Sequence, residues 1–139
     1  MEQQKFLINE IGNFMIDTQN KPDITSHQDI EQLVDSFYAK VRNDKLLSPV
    51  FLNVDWQAHL PKMHNFWAFI LLGEPGYTSN LVQKHLPLKI QAEHFTRWLE
   101  LFNQCVDEKF SGDKADEAKS RAYSMGVVIQ VKMGLGKNL

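Results

Sequence analysis

The stretch "DIEQLVDSFYAKV", residues 29–41, decides the fold class of this 139-residue chain. Its apolar side chains recur every three or four positions, at Ile30, Leu33, Val34, Phe37, Tyr38 and Val41. An α-helix makes one turn in 3.6 residues, so this period places them along one face. Thr25 or Ser26 is a suitable N-cap just before it. We therefore predict an amphipathic helix with one buried face.

The same period recurs along most of the chain. It predicts helices over 3–17, from near 57–60 to Gly73, over 80–86, from Ala92 to about Gly112, and over 114–133. Pro61 is expected in the first turn of its helix, because a proline further inside removes a hydrogen bond. The polar stretch "DTQNKPDITS", residues 17–26, reads as a linker. No stretch alternates as a strand does, so we predict an all-α protein with an extension over 1–24 and one domain over 25–139.

Composition excludes several classes of protein. The chain is 43% hydrophobic and 11% aromatic, which is too apolar for a disordered tail. A net charge of −2 argues against a nucleic-acid binder. No apolar run is long enough to cross a bilayer, and the first residues do not resemble a secretion signal. Cys105 is the single cysteine, so an internal disulfide is impossible and a cytoplasmic location is expected.

Familiar catalytic motifs are missing from the sequence. There is no CxxC or HExxH pair for zinc, no GxSxG nucleophile turn and no phosphate-binding glycine loop. The histidines are therefore the main candidates for chemistry. For His27 a solvated position is expected, for His64 a surface or edge position, and for His94 a half-exposed position at a helix start. His59 shares a predicted inward stripe with Met63.

His59 and His85 together suggest a ligand site. Each alone is more often a core histidine with a hydrogen-bond partner, or a histidine that ends a short helix. The helix that carries His59 and the short segment that carries His85 are joined by a tight loop. The two imidazoles could therefore lie on opposite sides of a flat cavity. Tyr38 and Trp98 are on inward faces and carry polar groups that need partners when buried. Phe51 follows a proline nearby, and an aromatic-rich helical shell with one nitrogen ligand suits an iron porphyrin.

Four segments, taken in order, resemble the truncated haemoglobins, and most of all the third group of that family. They are "FYAKVRNDKLLSPVF" (37–51), "DWQAHLPKMHNFWAFILLGEPGY" (55–77), "KHLPL" (84–88) and "HFTRWLELF" (94–102). The resemblance covers roughly residues 29–133. It implies a two-over-two helical sandwich around haem b, which here carries an extra helical or flexible N-terminal extension.

The resemblance also implies a role for individual residues. His85 matches the proximal iron ligand, and Phe51 matches a phenylalanine that packs on the porphyrin. The distal positions of the family fall on Tyr38, His59 and Trp98. The haem wall falls on Met63, Phe66 and Trp67, and Lys62 falls where the family often places a basic residue near a haem propionate.

These roles imply a function in binding gases. The first hypothesis is a monomeric globin that reversibly binds O2, NO and CO at haem iron. The second is an enzyme that dioxygenates nitric oxide or turns over peroxide, with a partner reductase as electron donor. The third is a haem-free helical interaction module, and the presence of all the matched residues argues against it.

Overall fold

The computed structural model describes residues 21–76 and 90–135, and within them it contains four α-helices. These are α1 (His27–Arg42), α2 (Trp56–Leu72), α3 (Ala92–Lys109) and α4 (Asp113–Lys132). The predicted all-α class is confirmed. The predicted helices over 3–17 and 80–86 lie outside the described residues.

Helix α1 forms as its sequence period predicts. All six apolar residues of the opening stretch are buried. Ser26 caps the helix, because its hydroxyl accepts a hydrogen bond from the Asp29 backbone N–H at 3.1 Å. The buried face of α1 therefore follows directly from the spacing of its side chains.

Helix α2 begins slightly earlier than predicted. It starts at Trp56, because the Asp55 side chain caps it by accepting a bond from the Ala58 backbone N–H. Pro61 is consequently the sixth residue, inside the helix rather than in its first turn. It costs the helix one backbone hydrogen bond without ending it. The helix ends at Gly73, whose φ of 70° is the left-handed conformation that favours glycine.

Helix α3 ends three residues before the predicted Gly112. It stops at Lys109, and Phe110 leaves the helix with extended backbone angles (φ −139°, ψ 158°). Gly112 instead precedes the first residue of α4 with φ 130°. A Cβ at this position would lie 2.7 Å from the Asp23 carboxyl group, so only glycine fits without a shift.

Asp23 caps α4 from far away in the sequence. Its carboxylate accepts hydrogen bonds from the backbone N–H groups of Lys114 and Ala115, both at 2.9 Å, and of Ile24 at 2.8 Å. Partial burial acts to raise the pKa of Asp23, but these bonds and the Lys114 charge lower it by more. Residues 21–24 of the predicted extension over 1–24 are thus held on the helical domain, while residues 1–20 lie outside the described residues.

Each of the four helices packs against two others. Helix α1 packs against α2 and α3, α3 packs against α4, and α2 also contacts α4. Most buried apolar side chains form one large apolar cluster, which includes Phe37, Phe102 and the fully buried Cys105. A small apolar cluster is built from Ile90, Phe95 and Ile129. None of the helices in 21–76 and 90–135 is long and apolar enough to cross a membrane.

Two histidines are tied to acidic residues on other elements. His27 is only partly exposed, and its Nδ1 lies 3.0 Å from Glu74, beyond the end of α2. His64 lies at the edge of α2, as predicted, with its Nε2 2.6 Å from Asp35 of α1. Both contacts link α1 to the α2 region, which the local sequence around either histidine does not indicate.

Candidate functional site

A cavity of about 320 Å³ lies between the large and the small apolar cluster. This volume falls within the range of cofactor and small-molecule sites, roughly 300–1,000 Å³. Its lining is mostly apolar and comes from all four helices, the loop between α1 and α2, and the residue two positions before α3: Tyr38, Leu47, Val50, Phe51, Val54, His59, Met63, Phe66, Trp67, Ile90, His94, Phe95, Trp98, Met125, Gly126 and Ile129.

Rings of α1 and α2 form a tight group on one side of the cavity. The His59 ring centroid lies 5.6 Å from those of Tyr38 and Trp56, with edge-on geometry in both cases. Tyr38 and Trp56 are themselves 5.2 Å apart. The Arg42 guanidinium carbon lies 5.0 Å from the centroid of Trp56, a cation–π contact. His59 therefore packs edge-on against two aromatic rings that also contact each other.

Tyr38 carries the buried hydroxyl of this group, and its side chain is only 5% exposed. Burial raises the pKa of the Tyr38 phenol far above its ordinary value, and a side-chain hydrogen bond from Trp98 acts in the opposite direction. Tyr38 thus stays protonated throughout the neutral and moderately alkaline range. Because the indole N–H can only donate, the Tyr38 oxygen accepts from Trp98 and keeps its own proton for another acceptor.

Trp98 is held in place by stacking. Its ring lies parallel to Phe102 at 5.7 Å between centroids, and Phe37 meets it edge-on at 5.4 Å. Trp67 stacks with Phe102 at 4.9 Å. Such aromatic pairs add stability beyond the area they bury. The indole N–H is therefore presented to Tyr38 from a rigid support.

The loop that carries Phe51 is fixed by an ion pair to α3. The Asp44 carboxylate accepts backbone N–H bonds from Leu46 and Leu47, both at 3.2 Å. The Nε of Arg97 donates to the same carboxylate at 2.8 Å. The Arg97 hydrogen bond is the main reason that the pKa of Asp44 lies below its ordinary range. The position of Phe51 thus depends on contacts between the loop and the helix that carries Trp98.

Most of the residues singled out in the sequence meet at this cavity. Seven of them line it: Tyr38, Phe51, His59, Met63, Phe66, Trp67 and Trp98. Lys62 is exposed on α2 and is not among the lining residues. His85 lies outside the described residues, so its predicted role as iron ligand stays a prediction.

Several lining residues were missed by the sequence argument. Gly126 lies inside α4, where a Cβ would come no nearer than 4.0 Å to Phe95. A glycine within a helix costs about 1 kcal/mol relative to alanine, and that cost could have flagged the position. His94 is half-buried at the start of α3, as expected, but it also lines the cavity. Its ring accepts a hydrogen bond, which its position in the sequence does not indicate.

Comparison with known proteins places the chain in a family. Residues 22–129 match the family model described as bacterial-like globin. The chain belongs to the bacterial-like globins. The predicted resemblance to truncated haemoglobins is thereby confirmed, and membership of the family implies a haem-binding globin.

Relatives of this globin include truncated haemoglobins from two organisms. It is 36% identical to a group 3 truncated haemoglobin of Campylobacter jejuni over 104 residues, which cover 70% of this chain and 82% of that protein. It is 34% identical to a group 2 truncated haemoglobin of Bacillus subtilis over 83 residues, which cover 56% of this chain and 62% of that protein.

Solved structures of these proteins share the fold of this globin. The crystal structure of a group III truncated haemoglobin from Campylobacter jejuni superimposes with a TM-score of 0.75 at 33% identity, covering 81% of this chain and 94% of the other. An X-ray structure of a truncated oxygen-avid haemoglobin from Bacillus subtilis gives a TM-score of 0.67 at 25% identity, covering 75% and 92%. The predicted two-over-two fold is confirmed by these matches.

The cavity of this globin fits the cofactor that the family implies. Haem is a flat, largely apolar ring, and the cavity is a gap between two apolar clusters with aromatic walls such as Phe51 and Trp67. Side chains that can donate hydrogen bonds, Tyr38, His59 and Trp98, are grouped on the wall of this cavity. Within residues 21–76 and 90–135, no three His, Cys, Asp or Glu side chains converge as ligands for a bare metal ion.

Proposed function

We propose that this globin holds haem b in the cavity through His85 and binds O2, NO and CO beside Tyr38, His59 and Trp98. Haem would supply an iron that takes one diatomic ligand and can change its oxidation state. The observation that carries the proposal is the buried Tyr38 hydroxyl on the wall of an apolar cavity that His59 and Trp98 also line.

Tyr38 would act as a hydrogen-bond donor to the diatomic ligand. Its raised pKa keeps the proton on the phenol, and the bond from Trp98 polarises the hydroxyl. A ligand that gains negative charge accepts such a bond most strongly. A hydrogen bond to a charged group contributes about 1.5–3 kcal/mol. Tyr38 therefore favours O2 over the less polar CO.

His59 would control entry to this side of the cavity. Its half-buried ring packs against both Tyr38 and Trp56, on the first turn of α2. A rotation of this one side chain would widen the route past Tyr38 without moving the helix backbone. Access of ligands would then depend on a side-chain motion, which is fast relative to helix motion.

An enzymatic role is the second candidate, and the same hydroxyl favours it. A donor that slows release of O2 is of little use for delivery and suits chemistry on the retained oxygen. Nitric-oxide dioxygenation would then require a reductase to restore the ferrous state. Consumption of NO by the oxygenated protein, measured with and without a reducing partner, distinguishes turnover from simple binding.

Absorption spectroscopy of the haem-reconstituted protein tests the proposal. We expect an intense Soret band that shifts on reduction and again with CO, at one haem per chain. His85→Ala should abolish stable haem retention, whereas His27→Ala is a control, since His27 does not line the cavity. Full retention in His85→Ala would refute the assignment of the iron ligand.

A further inference from the structure

His94 is a second imidazole on the cavity wall, in addition to His59. It lies in the first turn of α3, one turn before Trp98, and the small apolar cluster contributes the neighbouring wall residues Ile90 and Phe95. Its Nδ1 accepts a hydrogen bond from the Gln91 backbone N–H at 2.8 Å. That bond fixes what the other ring nitrogen can do.

The partner of Nδ1 decides the tautomer of His94. A backbone N–H can only donate, so Nδ1 must be the unprotonated nitrogen of a neutral ring. The ring proton then sits on Nε2, which makes this atom a hydrogen-bond donor. Among residues 21–76 and 90–135, no side chain or carbonyl accepts a bond from it. His94 lines the cavity and is half-exposed, so this N–H group is available to a molecule bound there.

We propose that His94 donates its Nε2–H to a carboxylate of the bound porphyrin, an inference that rests on the proposed function. A haem ring is apolar apart from its iron and its two propionate groups, so a donor beside the small apolar cluster has the carboxylates as its suitable partners. A hydrogen bond from a neutral imidazole to a carboxylate is charge-assisted and therefore stronger than a neutral one.

Other roles for this imidazole fit the geometry less well. Ligation of iron by Nε2 would require the opposite tautomer, with a proton on Nδ1 facing the Gln91 N–H. Contact with the diatomic ligand would compete with Tyr38 and Trp98, which are already hydrogen-bonded to each other. The described lining contains no lysine or arginine. Among the described lining residues, His94 is therefore a donor that is not part of the proposed ligand site of Tyr38, His59 and Trp98.

The test compares the rate of porphyrin loss from two proteins, each prepared with two different porphyrins. The holoproteins of wild type and His94→Phe are prepared with haem and with haem dimethyl ester, whose propionates are esterified. Transfer of the porphyrin to excess apomyoglobin gives each dissociation rate. With haem, we expect His94→Phe to lose its cofactor about tenfold faster, which corresponds to about 1.4 kcal/mol. With the ester, the two proteins should differ by less than about twofold.

A conservative variant separates donation from packing. His94→Gln keeps an N–H donor at a similar reach and should restore slow loss of haem, while the CO-bound Soret band stays the same in all variants. Equal acceleration of both porphyrins by His94→Phe would overturn the inference and indicate a packing role. Equal rates in wild type and His94→Phe with haem would overturn it as well. A wild-type protein that forms no haem complex would refute the proposed function itself, and the inference with it.

Discussion

Replacement of Tyr38 by phenylalanine tests whether its hydroxyl slows the release of O2, as proposed. The substitution removes one hydroxyl and leaves the ring, so the contacts with Trp56 and His59 persist. A hydrogen bond to a charged acceptor contributes about 1.5–3 kcal/mol, which corresponds to roughly 10- to 150-fold in rate. Tyr38 is 5% exposed, so water does not readily replace the lost donor.

The hydrogen bond from Trp98 determines how large the effect of Tyr38→Phe on O2 release is within this range of rates. Without the Tyr38 oxygen, the indole N–H of Trp98 loses its acceptor and becomes available to the ligand. We therefore expect Tyr38→Phe to accelerate O2 release about tenfold, at the lower end of the range. Trp98→Phe should accelerate it about threefold, because Tyr38 keeps its own proton but loses polarisation. The effect of the double variant should exceed the product of the two single effects, since neither the phenol nor the indole then remains to compensate for the other.

Stopped-flow displacement of O2 by excess CO measures these rates directly. The same measurement at pH 6 to 9 should give constant rates for the wild type, because the raised pKa keeps Tyr38 protonated. If neither single variant changes the rate, hydrogen bonding by these two residues does not control O2 release. If the double variant equals the product, both residues donate to the ligand independently and Trp98 does not act through Tyr38.

Three further predictions concern stability and reactivity. Gly112→Ala should lower the free energy of unfolding by about 1–2 kcal/mol more than the control Gly76→Ala in urea titrations. Both glycines have φ above 110°, but only a Cβ at residue 112 also displaces the Asp23 cap. Equal losses in the two variants would show that the cap survives. Asp23→Asn should destabilise by about 1 kcal/mol at pH 7. Because folding lowers the pKa of Asp23, the stability difference between wild type and Asp23→Asn is fully present above pH 3.8, the ordinary pKa of the group. It disappears as the pH falls through the lowered pKa of the folded state. A stability difference that does not change with pH would contradict this prediction. Cys105 should not react with a thiol reagent in the native protein and should react with one equivalent in denaturant, because the side chain is 0% exposed and burial raises the pKa of its thiol; rapid native labelling would argue against this burial.

The helical class could be predicted because each helix has a strong local signal. In α1 the spacing of the apolar residues and the Ser26 cap are both encoded within a few positions of each other. The end of α3 could not be predicted in this way. Gly112 looks like a helix stop, yet its conformation serves the start of α4 and depends on Asp23, about ninety residues away. Caps supplied from a distance leave no local pattern.

The candidate site also combines residues that the local sequence indicates with contacts between residues far apart in the sequence. Tyr38, His59 and Trp98 were identified because each lies on an inward helix face and carries a polar group that needs a partner when buried, and the resemblance to a family gave them roles. The bond between Trp98 and Tyr38 joins two helices that are distant in sequence, so no spacing rule reveals it. The cavity-lining position of His94 was missed for another reason. A half-exposed position at a helix start was expected for His94, and the local sequence does not indicate that such a histidine also lines a cavity between α3 and α4.

The division of the apolar interior into two clusters has a consequence for how the chain loses structure. Ile90, Phe95 and Ile129 bury too little surface to form a cooperative unit of their own. Without cofactor, we expect the last turns of α4 to exchange their amide hydrogens earlier than α1, which lies within the large cluster. A flat ring in contact with both clusters would join them into one unfolding unit. In this globin, cofactor binding would therefore complete the hydrophobic core as well as create the reactive centre.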